Sequence, residues 1–204
     1  MEYQSALLEQ QQIPYKDFTA YSKDAIADKF RLVIEKEGPV VDDFLELKVL
    51  KSYGISKRGS EIAPFMRGIL LSLGAVSTVQ LDCDGTEHLV FWPETYRGHE
   101  QEIESLSYEA YKDFRPSGQR PEMEEGSFRS IADFPQIEVF NAMLVQLENG
   151  AVLKKDERFT HTNHTLGFLV KGRQIRETFE IVLKKGISNG IFVYSRRNGT
   201  IRLK

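Results

Sequence analysis

The chain has 204 residues, of which 41% are hydrophobic and 28% charged, and its formal net charge at pH 7 is −3, a composition that excludes a disordered or collagen-like chain. A single cysteine, Cys83, excludes an internal disulfide framework, and the first residues have neither the basic start nor the apolar stretch of a secretory signal. The longest apolar stretch, 69–76, is interrupted by Ser72 and Gly74 and is too short to span a bilayer, so we expect a cytoplasmic protein without membrane contact.

Residues 1–23 are polar and rich in glutamine, and we expect them to form an N-terminal arm. After them, apolar residues recur with the period of a helix until Gly38-Pro39 ends it. Asp42 or Asp43 is placed to cap a second helix. The apolar residues predicted to face the core from these two helices are Ile26, Phe30, Val33, Ile34, Leu45, Val49, Leu50 and Tyr53.

Gly54 is placed to end the second helix, and a third helix is predicted from near Ser60. Two strands follow and meet at Asp84-Gly85, which is a strong hairpin signal. Trp92, at the end of the second strand, is predicted to be a core residue rather than a stacking platform.

The segment from Gly54 to Ile62 recurs as the segment from Gly167 to Ile175, with two glycines and the closing isoleucine in register. The second copy also repeats the order of three helices and a hairpin, whose turn is predicted at Asn198-Gly199. Duplication at this distance predicts two copies of one unit.

Three helices followed by a hairpin is the order of a winged helix, in which the third helix enters a DNA groove and the hairpin forms the wing. We therefore predict an α+β fold with tandem winged-helix-like domains at 24–96 and 129–204. The acidic residues between them, 97–128, are predicted to be a linker with a flexible stretch near 115–127. The same order also occurs in helical domains that bind no nucleic acid.

Four segments of the first copy resemble a known family. They are Ile13-Pro14-Tyr15-Lys16, Glu37-Gly38-Pro39-Val40, the stretch from Gly54 through Arg58-Gly59-Ser60 to Ile62, and Phe91-Trp92-Pro93. In this order they are similar to the bacterial domain-of-unknown-function family 3320. The resemblance covers most of 13–96, and it is weaker in the second copy, which has Glu148-Asn149-Gly150-Ala151-Val152 in place of Glu-Gly-Pro-Val.

Members of that family sit at the C-terminal end of large bacterial proteins, behind a superfamily-1 helicase and a nuclease-like domain. The resemblance implies a nucleic-acid-processing context such as defence or repair. This chain departs from that setting, because its sequence contains neither a phosphate-binding loop of the NTPase type nor an evident nuclease constellation. The resemblance implies no particular catalytic or binding residues.

Charge is distributed unevenly between the two copies. Residues 24–96 carry 8 basic and 12 acidic groups, whereas residues 129–204 carry 13 basic and 7 acidic groups. The second copy is therefore the better candidate for an anionic partner.

The candidate nucleic-acid contacts lie on the third helix and the hairpin of the second copy, with Tyr194 available for stacking or phosphate contact. The helix face also carries Glu177 and Glu180, so that its charges form the i, i+4 pairs of an ordinary solvated helix. The basic residues predicted to contact nucleic acid are Lys171, Arg173, Arg176, Lys184, Arg196, Arg197 and Arg202.

These residues favour a non-catalytic accessory module that binds DNA or RNA and is associated with helicase- or nuclease-type DNA processing. The alternative is a protein-protein interaction module that docks a helicase or nuclease partner. The first copy favours that alternative, because Lys57, Arg58 and Arg67 lie beside Glu61 in an acidic unit.

Metal and catalytic sites have little support in the sequence. Glu157, His161 and His164 fall on one helical face, but three such positions without a fourth nearby are a weak metal signal, so neither metal nor cofactor is predicted. Asp82 and Asp84 flank Cys83 and would raise the pKa of its thiol, which opposes thiolate formation. An enzyme is the least supported class.

Overall fold

The computed structural model describes residues 5–106, 109, 111–116, 129–169 and 172–204. Within them the protein has an α+β fold with two small antiparallel sheets, as predicted. No helix in these described ranges has both the length and the apolar character needed to cross a bilayer.

The first unit contains three helices and a three-stranded sheet. Its third strand lies in the middle of the sheet and pairs with both others, and the hairpin predicted at Asp84-Gly85 is confirmed. Val90 on this strand pairs with Val41 on one side and Thr78 on the other. The elements are α1 (Lys23–Glu37), β1 (Val40–Val41), α2 (Asp42–Lys51), α3 (Ile62–Ser72), β2 (Ser77–Leu81) and β3 (Glu87–Phe91).

The second unit repeats this element order, after a short helix α4 (Glu100–Glu104) that lies between the units in the chain. Its sheet again has the last strand in the middle, paired with a two-residue strand and with the hairpin partner. The elements are α5 (Gln136–Val145), β4 (Leu153–Lys154), α6 (Lys155–Thr165), α7 (Arg173–Ser188), β5 (Phe192–Ser195) and β6 (Thr200–Leu203).

The start of α2 differs from the prediction. Neither Asp42 nor Asp43 is the N-cap: both lie in the first turn, and the N-cap is Val41, which has no side-chain oxygen to offer. The Asp42 carboxylate instead accepts hydrogen bonds from the backbone N–H groups of Asp43, at 2.8 Å, and Leu89, at 2.9 Å. Asp42 therefore ties α2 to the central strand β3.

The N-terminal arm lies along the end of α2 and packs against the glycines of the repeated segment. Gln11 N–H donates to the Ser52 carbonyl, at 2.7 Å, and the Tyr15 hydroxyl lies against Gly59. A Cβ atom at Gly59 would overlap that hydroxyl, whereas a Cβ at Gly172 in the second unit would meet only Ile175, at 3.9 Å. The two glycines therefore serve different purposes in the two copies.

A buried ion-pair cluster joins the two units. Glu138, on α5, is fully buried and accepts hydrogen bonds from the guanidinium groups of Arg115 and Arg129. Arg115 also donates to the carbonyl oxygens of Glu37, at 2.5 Å, and Pro39, at 2.7 Å. The cluster thus connects the beginning of α5 to the loop after α1.

The segment between the units is packed where the structure describes it. Helix α4 lies against β2, and Glu104 accepts a hydrogen bond from Val79 N–H at 2.9 Å. Tyr111 and Arg115 are buried, and Tyr111 packs edge-on against Trp92, itself a core residue at 1% exposure as predicted. Of the stretch predicted to be flexible, Arg115 and Pro116 are described and the remainder lies outside the described residues.

Candidate nucleic-acid interface

The residues predicted to contact nucleic acid fall on two elements of the second unit. Arg173, Arg176 and Lys184 lie on α7, and all three are exposed. Arg196 and Arg197 lie in the turn of the β5–β6 hairpin, which we call the second hairpin; Arg202 lies on β6 itself. Lys171 lies outside the described residues.

The outward face of α7 carries charges that are paired in part, although Lys184 forms no ion pair within the described residues. Arg173 donates to Glu177 at 2.7 Å, which is the i, i+4 pair expected from the sequence. Glu180 pairs with Lys155, on α6, rather than with Lys184. Paired charges in water contribute little net field, so this face offers less to a phosphate than its count of basic residues indicates.

The second hairpin offers unpaired cations. Arg196 and Arg197 are exposed at its tip, and within the described residues neither they nor Arg202 form an ion pair. Tyr194 pairs with Ile201 across the hairpin, and Val193 pairs with Arg202. Because neighbouring residues of a strand point to opposite faces, Tyr194 and Arg202 lie on opposite faces of the hairpin.

The hairpin of the first unit, β2–β3, which we call the first hairpin, reaches across to α7. Cys83, at its tip, is exposed. Desolvation, hydrogen bonding to the Glu177 carboxylate on α7 and the charge of Asp82 raise the pKa of its thiol, in the direction expected from the sequence.

The tip of the first hairpin is acidic. Hydrogen bonds from Thr86 lower the pKa of Asp84 to about 2, so this carboxylate is ionised at neutral pH. Asp82 accepts a hydrogen bond from Asp84 N–H at 2.8 Å, which fixes the turn. The sequence shows the acidic tip, but it gives no sign that the tip approaches a helix of the other copy.

The first unit has its own charged concavity, of about 360 Å³, between α2, α3 and β3. Arg58 donates to Asp43, at 2.5 Å, and to Glu46, at 2.9 Å, and Arg67 donates to Asp42, at 2.5 Å. The hydrogen bond from Arg58 lowers the pKa of Asp43, while burial raises that of Glu46. Both arginines are therefore held by carboxylates and are poorly placed to bind phosphate.

The same concavity holds a group of side chains with metal-ligand chemistry. Asp42, Asp43 and His88 bring their ligand atoms within 4.8 Å of one another, and His88 Nδ1 lies 3.1 Å from an Asp42 oxygen. The two carboxylates already accept hydrogen bonds from arginines, so a cation would have to displace guanidinium groups. Among the described residues, Glu157, His161 and His164 do not form such a group.

No family model matches the chain, and no curated protein or solved structure is significantly similar to it. Arg196 and Arg197 of the second hairpin are exposed and form no ion pair within the described residues, whereas Arg173 on α7 and Arg58 and Arg67 of the first unit are paired with carboxylates.

Proposed function

We propose that this protein is a non-catalytic nucleic-acid-binding accessory module built from tandem winged-helix-like domains, with DNA or RNA contacted mainly by the second unit. Each unit has the element order helix, strand, helix, helix and hairpin around a three-stranded sheet, which supports the winged-helix interpretation. The resemblance of the first copy to family 3320 supports a setting of helicase- or nuclease-type DNA processing.

The observation that carries the proposal is the pair Arg196 and Arg197 at the tip of the second hairpin. Contacts between basic side chains and phosphates supply most of the non-specific affinity of nucleic-acid-binding proteins. Such contacts require cations that are exposed and free of competing carboxylates. Arg196 and Arg197 meet both conditions within the described residues, and Arg58 and Arg67 of the first unit do not.

Fluorescence anisotropy with labelled duplex and single-stranded DNA across a salt series tests the proposal. We expect binding at low salt that weakens as salt rises, and a loss of about tenfold or more in the variant Arg196→Glu, Arg197→Glu. The matched control is Lys16→Glu, Lys57→Glu, which changes the net charge equally at one exposed position of the N-terminal arm and one of the first unit. Undetectable binding at low salt, or equal losses in both variants, would contradict the proposal.

A second candidate is a protein-protein interaction module that docks a helicase or nuclease partner through the first unit. It is favoured by the net negative charge of the concavity in the first unit, whose carboxylates outnumber its arginines and which suits a basic partner segment; the charged lining residues are Asp42, Asp43, Glu46, Glu87, Arg58 and Arg67. A purified helicase or nuclease encoded beside this protein would then bind the wild-type chain, and binding would weaken in Asp43→Asn. Tight DNA binding with no such protein binding would exclude this candidate.

A further inference from the structure

We propose that a cleft between α6 and α7, which we call the aromatic cleft, binds an unpaired pyrimidine base of a single-stranded nucleic acid, with a neighbouring phosphate held by Arg176. This inference rests on the proposed nucleic-acid function and names the form of nucleic acid that the second unit recognises. Apolar and polar side chains both line the cleft, among them Phe159, Ile175, Phe179, Asp156, Asn163 and Arg176.

The aromatic cleft is the counterpart of the charged concavity of the first unit. When the two repeated segments are aligned, the ion pair between Arg67 and Asp42 corresponds to the ion pair between Glu180 and Lys155, with the charges exchanged. Each pair joins the first turn of the second helix of its unit to the third helix. The two cavities therefore lie between equivalent helices and can be compared position by position.

The lining residues of the two cavities differ in chemical type. The first unit has Glu46, which pairs with Arg58, where the second unit has Phe159. It has Ala63 where the second unit has Arg176. An aromatic ring beside a cation binds single strands well, because the ring stacks on a base and the cation contacts a phosphate.

The size of the aromatic cleft suits a single ring. Its volume is about 140 Å³, and a cavity of roughly 150 Å³ is enough for benzene. Phe179 is buried and packs edge-on against Phe159, with the ring centroids 5.6 Å apart, while Phe159 itself is half-buried. A pyrimidine ring fits this space, whereas the second ring of a purine would extend into solvent.

The polar side chains favour a base over a phosphate inside the cleft. The carboxylate of Asp156 is exposed at the first turn of α6 and repels a phosphate. It can accept a hydrogen bond from the N4 amino group of cytosine, which is a donor. The base therefore enters the cleft and its phosphates remain outside.

Basic side chains lie beside the cleft to receive those phosphates. Arg176 is exposed and forms no ion pair within the described residues. The turn of the second hairpin lies next to the start of α6, because Lys155 N–H donates to the Gly199 carbonyl at 3.2 Å. Arg196 and Arg197 belong to the same turn. We expect a strand with one base in the cleft to place phosphates at Arg176 and along this turn.

The experiment measures anisotropy with oligo-dC, oligo-dA and a duplex of equal length. We expect the wild type to bind oligo-dC most tightly, by about threefold or more over oligo-dA. Phe159→Leu removes the stacking ring and should weaken oligo-dC binding by about fivefold or more and abolish the preference. The matched control is Phe65→Leu, at a half-buried phenylalanine of α3, which should bind as the wild type does.

A second variant tests the phosphate contact without altering the core. Arg176→Ala gives the residue that the first unit has, and should make the slope of log K against log salt shallower by about 0.7. Lys57→Ala, which removes the same charge at an exposed position of the first unit, should leave the slope unchanged. If circular dichroism shows that Phe159→Leu is unfolded, an unchanged slope in Arg176→Ala overturns the inference.

The outcomes separate this inference from the function on which it rests. A duplex that binds as tightly as oligo-dC, or a preference for oligo-dC that persists in Phe159→Leu, would overturn base binding in the cleft while leaving nucleic-acid binding intact. Absence of binding to every oligonucleotide at low salt would instead remove the proposed function.

Discussion

Arg158 occupies in the second unit the position that Leu45 occupies in the first. Aligning Gly54 with Gly167 places these two residues opposite each other, on α6 and α2, and both are 0% exposed. The Arg158 guanidinium stacks on the Phe192 ring, 4.2 Å from its centroid, and within the described residues none of its nitrogen atoms has a hydrogen-bond partner. Burial lowers the pKa of Arg158 to about 9, as expected of a cation that has lost its hydration without gaining a counter-charge.

We expect Arg158→Leu to stabilise the protein. Replacing buried charge with a well-packed apolar side chain commonly raises the free energy of unfolding by about 1–4 kcal/mol, and the first unit shows that leucine suits this position. Urea unfolding followed by circular dichroism measures the change. A variant that unfolds more easily than the wild type would show that Arg158 has a stabilising partner.

The reciprocal substitution Leu45→Arg is the control. It places a cation in the apolar core of the first unit, among Phe30, Val49 and Met66, and we expect a loss of more than about 3 kcal/mol. If the two substitutions change the free energy of unfolding with opposite signs, α2 and α6 occupy equivalent positions in cores of different polarity.

Substituting Glu138 should loosen the joint between the units. Glu138→Gln keeps the shape of the side chain but deprives Arg115 and Arg129 of their shared carboxylate, which we expect to cost about 3–5 kcal/mol. Thermal and urea unfolding at pH 7 would measure the loss. A loss below about 1 kcal/mol would mean that the cluster contributes little to stability.

The same carboxylate predicts a dependence on pH. Burial alone would raise the pKa of Glu138, but the charges and hydrogen bonds of Arg129 and Arg115 outweigh burial and hold it below its usual value of 4.5. The stability that Glu138 contributes is therefore present above pH 4.5 and is lost as the pH falls toward its folded-state pKa. Between pH 5 and pH 3 the wild type should lose more unfolding free energy than Glu138→Gln, and parallel losses would contradict this.

The two equivalent glycines should respond differently to alanine. In Gly59→Ala the new methyl group overlaps the Tyr15 hydroxyl, so the ring must move and the arm should detach in part, at a cost of about 1 kcal/mol. We expect faster hydrogen exchange at the Gln11 and Ile13 amides, which donate to carbonyls at the end of α2. Gly172→Ala meets only Ile175, at 3.9 Å, and should leave the exchange of these amides unchanged.

The contact between the first hairpin and α7 can be tested without nucleic acid. Glu177→Gln removes the charged acceptor beside Cys83, which should lower the thiol pKa and speed alkylation by iodoacetamide at pH 8 by about two- to fivefold. Glu180→Gln, whose glutamate pairs with Lys155 instead, is the matched control and should react at the wild-type rate. Equal alkylation rates in the wild type and in both variants would indicate that Cys83 and Glu177 do not interact.

Much of the fold could be predicted from the sequence, because its local signals are strong. The apolar stripe at Ile26, Phe30 and Val33 predicted a buried helix face, and all three residues are buried. The two-residue strands β1 and β4 were not predicted, since a pair of residues has no detectable period. They form only because the last strand of each unit provides a partner.

The candidate site was less predictable, because its decisive contacts join residues far apart in the chain. The basic residues of the second hairpin and the pair Arg173–Glu177 could be proposed from spacing. The approach of Cys83 to Glu177 and the burial of Arg115 depend on how the two units pack, for which no local pattern exists. The acidic segment between the units therefore resembles a linker in sequence, although part of it forms the buried contact between the two units.

Arg115 recognises the first unit through the carbonyl oxygens of Glu37 and Pro39, which every amino acid carries. These hydrogen bonds therefore do not depend on which side chains occupy that loop, provided that its backbone keeps the same conformation. The surfaces of the two copies can therefore diverge in charge while Arg115 keeps its hydrogen bonds to the first unit. Such an arrangement lets a protein with two similar units change its binding partners while the packing between the units is kept.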